Sequence, residues 1–207
     1  MSVESIKNQL QGRKAKILGH ENFLKSAVMI PLIERNGEIN LLFEVRSHQL
    51  RRQPGEICFP GGKVDESDKD EEHTAIRELC EELGLPANQI NTVASLDYVV
   101  TPFDSLIYPF VGEIAPHAVI SHNPLEVDEV FYVPLDYFLE AKPQRFDINL
   151  KVEPEKNFPY HLIPNGKNYN WRVGAIPEYF YEYNDYVIWG LTARILHHFL
   201  ELIRTNV

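Results

Sequence analysis

Apolar and polar positions alternate along this chain with two periods, and together they predict its elements. Val3, Ile6 and Leu10 recur at helical spacing in a polar background, predicting a short amphipathic helix over residues 3 to about 12. In SAVMIPLIERNGEINLLFEVRS two apolar runs flank Asn36-Gly37, the pattern of a tight hairpin. The stretch SHQLRRQPGEICFPGGKVDESDKD is rich in Gly, Pro and charge, and reads as a loop with one short strand around residues 57–59. Helical period returns in DESDKDEEHTAIRELCEELGL, where Ile76, Leu79, Cys80 and Leu83 form an apolar stripe. Asp68 with Glu71 predicts a capping box at its start, Gly84 a terminator, and Pro86 forbids continuation. Two apolar runs around Thr101-Pro-Phe-Asp-Ser105 predict strands, as does Val130 to Val133, and Leu135 to Ala141 predicts a short helix. Residues 142–185 show no clear period and read as short strands and loops. An apolar-striped helix is predicted from Tyr186 to Ile203. Strands and helices mixed in this order predict an α/β or α+β layered domain with a mixed sheet.

Composition narrows the classes. The chain's 207 residues suit one domain with a sizeable core, and no repeat or composition shift marks a boundary. A net charge of -10 makes it a poor non-specific binder of nucleic acid or anionic membrane. A polyanionic substrate would therefore need bound metal or a few placed Arg and Lys. Cys58 and Cys80 form no CxxC pair and no cluster with His, so zinc is not expected and both read as buried thiols. No apolar run is long enough for a membrane span, the N-terminus lacks an apolar signal core, and the terminal Arg204-Thr-Asn-Val carries no address motif. The expected location is the cytoplasm.

The chemistry lies in the acidic helix. At about 100° per residue, Glu78, Glu81 and Glu82 share one face, opposite the apolar stripe. Like charges four residues apart cost a few tenths of a kcal/mol, and anions in a last turn oppose the helix dipole. A solvated acidic face is one reading. The other is a site for hard divalent cations, which would turn both penalties into attraction. The preceding Pro60-Gly61-Gly62-Lys63 can bring bare backbone close to such a site, or can be an ordinary glycine turn.

The run Arg77-Glu78-Leu79-Cys80-Glu81-Glu82-Leu83-Gly84-Leu85 resembles the second half of the Nudix hydrolase signature. The first half departs from it: Gly62 lies one residue too far from Arg77, and Asp68 stands where the pattern has Glu. Upstream, Arg46-Ser47, Arg51, Gly55 and Phe59-Pro60-Gly61-Gly62 resemble the additional signature of the coenzyme A pyrophosphatase branch, and the inserted residue before Arg77 is similar to that branch. Glu44 occupies a position where that pattern often has Thr. Further similarity in TPFDSLIYPFVGEI, NPLEVDEVFYVPL and IWGLTARIL extends the resemblance over roughly residues 26–200.

The resemblance implies an α/β/α sandwich with a loop-helix-loop motif beside a mixed sheet. It frames one domain over 1–207, with a helical extension at about 1–25, the Nudix box at about 61–85 and a closing helix at about 186–204. It implies Mg²⁺ or Mn²⁺ held by Glu78, Glu81 and Glu82 with the Gly62 carbonyl, and Arg77 orienting a glutamate. The general base is a box glutamate or one from a later loop; Glu126 and Glu129 are candidates there, and equally read as surface acids before a strand. Arg46 and Arg51 are candidates for substrate phosphates, with structural ion pairing as the rival, and Lys63 is a third cation for that role. The implied substrate is coenzyme A or its thioesters, cleaved to adenosine 3′,5′-bisphosphate and 4′-phosphopantetheine or its acyl form. The alternatives are ADP-ribose, a dinucleotide, or a silent nucleotide-binding module. The expected partner is a small nucleotide rather than nucleic acid or membrane, and a homodimer is compatible with the sequence.

Overall fold

The structure is a computed structural model and describes residues 1–204. The tail read above for an address motif lies, beyond Arg204, outside the described residues. Helix α1 (Val3–Leu10) and a 3₁₀ turn (His20–Asn22) precede a hairpin of β1 (Leu24–Arg35) and β2 (Glu38–Arg46). Its turn is at Asn36-Gly37, both with positive φ (55° and 81°), as a two-residue hairpin turn demands. Then come β3 (Ile57–Cys58), β4 (Gly61–Lys63), α2 (Glu71–Leu83), β5 (Ile90–Ser95), β6 (Val99–Thr101), β7 (Ser105–Ile114), β8 (Val127–Pro134) and α3 (Leu135–Glu140). Strands β9 (Gln144–Leu150), β10 (Gly174–Tyr183) and β11 (Tyr186–Ile188) lead into α4 (Gly190–Arg204).

The main sheet is mixed. β1 runs parallel to β7, and the other pairings are antiparallel, in the order β3-β2-β1-β7-β5 with β4 on β1, β6 on β7 and β8 on β2. Period-two alternation sorts its side chains between two cores. Ala27, Met29 and Ile33 of β1, Leu42 of β2, and Phe110 and Ile114 of β7 pack under α2 through Ala75, Leu79 and Leu83. Ile30, Leu41, Phe43, Ile107 and Val111 face the other way, onto α3, α4 and the β9-β10-β11 sheet. The result is the α+β sandwich expected: helix, mixed sheet, helices.

The hairpin strands part company along their length, and that positions the site. β1 and β2 pair from Leu32/Leu41 to the turn. Beyond that, β4 takes up β1 at Ala27 and Val28, while β3 and β8 take up β2 around Glu44. Backbone from β4 and side chains from β2 therefore meet where the two strands diverge.

Three expectations are corrected. Helix α2 begins at Glu71 with Asp70 as its cap, because the Asp70 carboxylate accepts the His73 N–H at 2.8 Å; Asp68 is occupied elsewhere. Its buried stripe is Ala75, Leu79, Glu82 and Leu83 with Thr74, and Ile76 and Cys80 are only half-buried, so the core-facing direction is turned toward Glu82. Helix α4 begins at Gly190 rather than Tyr186, because Asn184, with φ 51°, turns Tyr186–Ile188 back as a strand on β10. Among the described residues no helix is long and apolar enough to cross a membrane.

Candidate functional site

Helix α2 is held tightly at the end that carries its acids. Gly84, with φ 65°, closes it by donating its N–H to the Cys80 carbonyl. The N–H groups of Ser121 and Asn123 donate to the carbonyls of Leu83 and Glu82 at 3.0 and 2.8 Å, so a neighbouring loop satisfies the last turn. A Cβ on Gly84 would overlap the Ser121 carbonyl, so glycine is required here for conformation and space.

The three glutamates do not share one solvated face. Glu82 is 5% exposed and accepts the Gly61 N–H at 2.9 Å, Glu78 is half-buried, and Glu81 is exposed. Glu78 lies directly over Gly62, where an added Cβ would collide with its carboxyl group. Strand β4 thus reaches the helix through two bare glycines, one donating to Glu82 and the other lying against Glu78.

Arg77 ties this centre to the loop before the helix. Its Nε and Nη2 each donate to Asp68 at 2.9 Å, and Nη2 also reaches the Lys63 carbonyl at 3.4 Å. Its Nη1 lies 2.9 Å from Glu78 and 3.2 Å from Glu81. Asp68 also accepts from Thr74 Oγ1 (2.8 Å) and from the Asp65 N–H (3.0 Å). The guanidinium fork, with those bonds, holds the Asp68 carboxyl well below the usual carboxylate range.

A fourth carboxylate enters from the sheet. Glu44 follows Leu42 on the α2-facing side of β2 and is 1% exposed. The Cys58 thiol donates to its Oε1 at 3.2 Å, and its Oε2 is buried with no hydrogen-bond partner. Burial pushes Glu44, Glu82 and Glu78 upward; the charge of Glu44 adds to the rise at Glu82, whereas the Cys58 thiol and Arg46 partly offset it at Glu44. Glu126, from the loop before β8, is a further negative charge acting on all three. Burial also pushes the Cys58 thiol up, which keeps it a donor.

These residues fit a divalent cation. Hard oxygen donors gather in a partly desolvated place, bare backbone approaches them, and one buried oxygen lacks any partner. Among the described residues no three His, Cys, Asp or Glu side chains already form a cage: Arg77 holds Glu78 and Glu81, so the donors are gathered but not closed.

A cleft of about 330 Å³ opens beside this centre, lined by Arg46, Cys58, Phe59, Gly61, Trp189 and Thr192 among others. A bulge between Val45 and Arg46 breaks the alternation of β2, and Arg46 Nε is buried without a hydrogen-bond partner. Arg51 is exposed on the following loop and does not line the cleft. Lys63 lines a separate recess with Arg77 and Glu78. Glu126 acts by its charge on Glu44, Glu78 and Glu82, whereas Glu129 accepts the Tyr186 hydroxyl at 2.6 Å. Glu44 was missed as a functional residue from the sequence, although a lone acid inside the apolar run LLFEV is the signal that could have found it.

A mixed α+β sandwich with acids on a glycine-approached helix is suited to cation-dependent phosphate chemistry. The NUDIX domain model matches residues 23–151, and the chain belongs to the Nudix hydrolase family, whose members act on phosphoanhydride bonds and generally need divalent metal ions. It is 36% identical over 182 residues to the peroxisomal coenzyme A diphosphatase NUDT7 of Mus musculus, covering 85% of this chain and 69% of the relative. It is 33% identical over 182 residues to the mitochondrial coenzyme A diphosphatase NUDT8 of Homo sapiens, covering 86% and 69%. An uncharacterized Nudix hydrolase, NudL, of Photorhabdus laumondii is 31% identical over 184 residues, covering 89% and 87%. The expectation of a cytoplasmic location is overturned by the first two of these relatives, which are named for the peroxisome and the mitochondrion.

Proposed function

We propose that the protein hydrolyses the diphosphate linkage of coenzyme A or acyl-coenzyme A, giving adenosine 3′,5′-bisphosphate and 4′-phosphopantetheine or its acyl form. The observation that carries the substrate is the similarity to two coenzyme A diphosphatases over most of the chain. The geometry supports it with a carboxylate centre and an Arg-bearing cleft that share Gly61.

Glu78, Glu81 and Glu82, with the Gly62 carbonyl, would hold Mg²⁺ or Mn²⁺. A cation there supplies neutralisation of the diphosphate and a more acidic water. The protein's own groups do the rest. The Gly61 N–H fixes Glu82, and Arg77 orients Glu78 and Glu81 while anchoring the loop through Asp68. Glu126 is the general base we favour among the later acids, since its charge acts on the cluster and Glu129 is engaged by Tyr186. It takes a proton from the water whose oxygen bonds to phosphorus as the bridging P–O bond breaks. Arg46 meets a substrate phosphate in the cleft, with Lys63 and Arg51 as further candidate cations. The net charge of -10 favours a small nucleotide over nucleic acid or an anionic membrane.

The test is a substrate panel with Mg²⁺ or Mn²⁺ and product identification. We expect coenzyme A to yield adenosine 3′,5′-bisphosphate, and Glu82→Gln to lose that turnover. Rapid cleavage of ADP-ribose with coenzyme A left intact would overturn the substrate, and full turnover by Glu82→Gln would overturn the metal assignment.

A further inference from the structure

We propose that Glu44 is an additional carboxylate of the cation site, delivered from strand β2 rather than from the helix. The inference rests on the reading that the centre holds a divalent cation, and adds to it a ligand outside the Nudix box. Glu44 sits where the coenzyme A signature often has Thr, so it belongs to this chain's own version of the site.

Four observations converge. First, direction: Leu42 packs under α2, and alternation places Glu44 on the same face, toward the helix that carries Glu82. Second, burial: Glu44 is 1% and Glu82 is 5% exposed, and two carboxylates withdrawn from water within reach of each other's charge are costly unless a cation or a proton offsets them. Third, the carboxyl is held but not satisfied. The Cys58 thiol takes Oε1 at 3.2 Å, from the residue directly across the β2/β3 ladder, and leaves Oε2 buried without a partner. Fourth, the surroundings are acidic: Glu82, Glu78 and Glu126 act on Glu44, whereas Arg46 is the cation that acts on it and forms no ion pair with it. A buried acid with one pinned oxygen and one open oxygen among like charges has the form of a cation ligand. A Thr at this position would bring a neutral hydroxyl instead.

The rival role is a permanently protonated acid that only fills space. Mn²⁺ binding to the whole protein, without substrate, separates the two. Titration calorimetry would compare the wild type with Glu44→Gln, an isosteric change, and with Glu44→Thr, which keeps the comparison available if the glutamine variant does not fold. We expect at least a tenfold loss of Mn²⁺ affinity in either variant. We also expect a smaller Mn²⁺-induced rise in Tm, and loss of one carboxylate-stretch infrared band that shifts on Mn²⁺ addition in the wild type. Affinity within twofold of wild type, or an unchanged set of shifted bands, overturns the proposal. The outcomes are separable from those of the substrate test. A protein that binds Mn²⁺ through Glu44 but leaves coenzyme A intact fails only the substrate reading. One that cleaves coenzyme A yet binds Mn²⁺ equally well as Glu44→Gln fails only this one.

Discussion

At the scale of single residues, the site depends on what is missing as much as on what is present. Gly62 contributes no side chain, and that absence lets strand β4 lie against the Glu78 carboxyl. Gly62→Ala should displace Glu78 and lower kcat by about 10²-fold, the effect of an ångström-scale misplacement, while the circular dichroism spectrum stays native. A variant with wild-type kcat would show that this contact does not position Glu78. Asp68 makes the opposite kind of contribution. Its carboxyl is held below its ordinary value of about 3.9 by Arg77, so the folded state favours the ionised form. The stabilisation is therefore complete above about pH 5 and is lost as pH falls below about 4. Asp68→Asn should cost about 1–3 kcal/mol at pH 7, from a charged, part-buried hydrogen-bond pair. In urea melts the gap from wild type should narrow progressively below pH 4. A gap that stays constant down to pH 3 would mean that the ion pair is not its source.

At the scale of elements, local patterns were legible wherever one residue type has one physical use. Asn36-Gly37 predicted the hairpin turn, Gly84 the end of α2, and the apolar runs the presence of β1, β2 and β7. The three box glutamates were legible through their spacing, but their burial was not. A helical wheel fixes angles about the axis and says nothing about where the core lies, and here the core side is turned so that Glu82 is inside. The start of α2 was misread for a related reason. Asp68 and Asp70 both suit a cap, and the choice is made by Arg77 nine residues on, which takes Asp68 for itself. The strand Tyr186–Ile188 was hidden because its pairing with β10 depends on a turn at Asn184-Asp185 rather than on an apolar pattern. The cap assignment gives a direct prediction. Asp70→Ala should destabilise the protein by about 1 kcal/mol, seen as a lower denaturation midpoint with an unchanged m-value. Glu71→Ala, the other half of the expected capping box, should have less effect. The reverse ranking would restore the box read from the sequence.

At the scale of the whole molecule, the sheet separates two jobs and one short strand joins them. Helix α2 presents the carboxylates on one face, whereas α4 packs on the other, tied to β3 by the Thr192 hydroxyl donating to the Ile57 carbonyl at 3.2 Å. Gly61 belongs to both places: its N–H fixes Glu82, and it lines the cleft that Arg46 and Trp189 share. A substrate with its diphosphate at the carboxylates can therefore lay a flanking group along the α4 side without leaving the site. On the proposed function, this layout would separate binding from chemistry. Arg46, whose buried Nε has no hydrogen-bond partner among the described residues, should contribute binding rather than rate. One charged hydrogen bond of about 1.5–3 kcal/mol corresponds to roughly a 10- to 100-fold change in affinity. Arg46→Ala should thus raise KM for coenzyme A by about that factor with kcat nearly unchanged. Arg46→Lys, a point charge without the planar fork, should recover only part of it. Arg51→Ala, on the exposed loop outside the cleft, should move KM far less. If Arg46→Ala instead lowered kcat at constant KM, the cleft would be acting only on the transition state, and the division of labour between the two faces of the sheet would have to be abandoned.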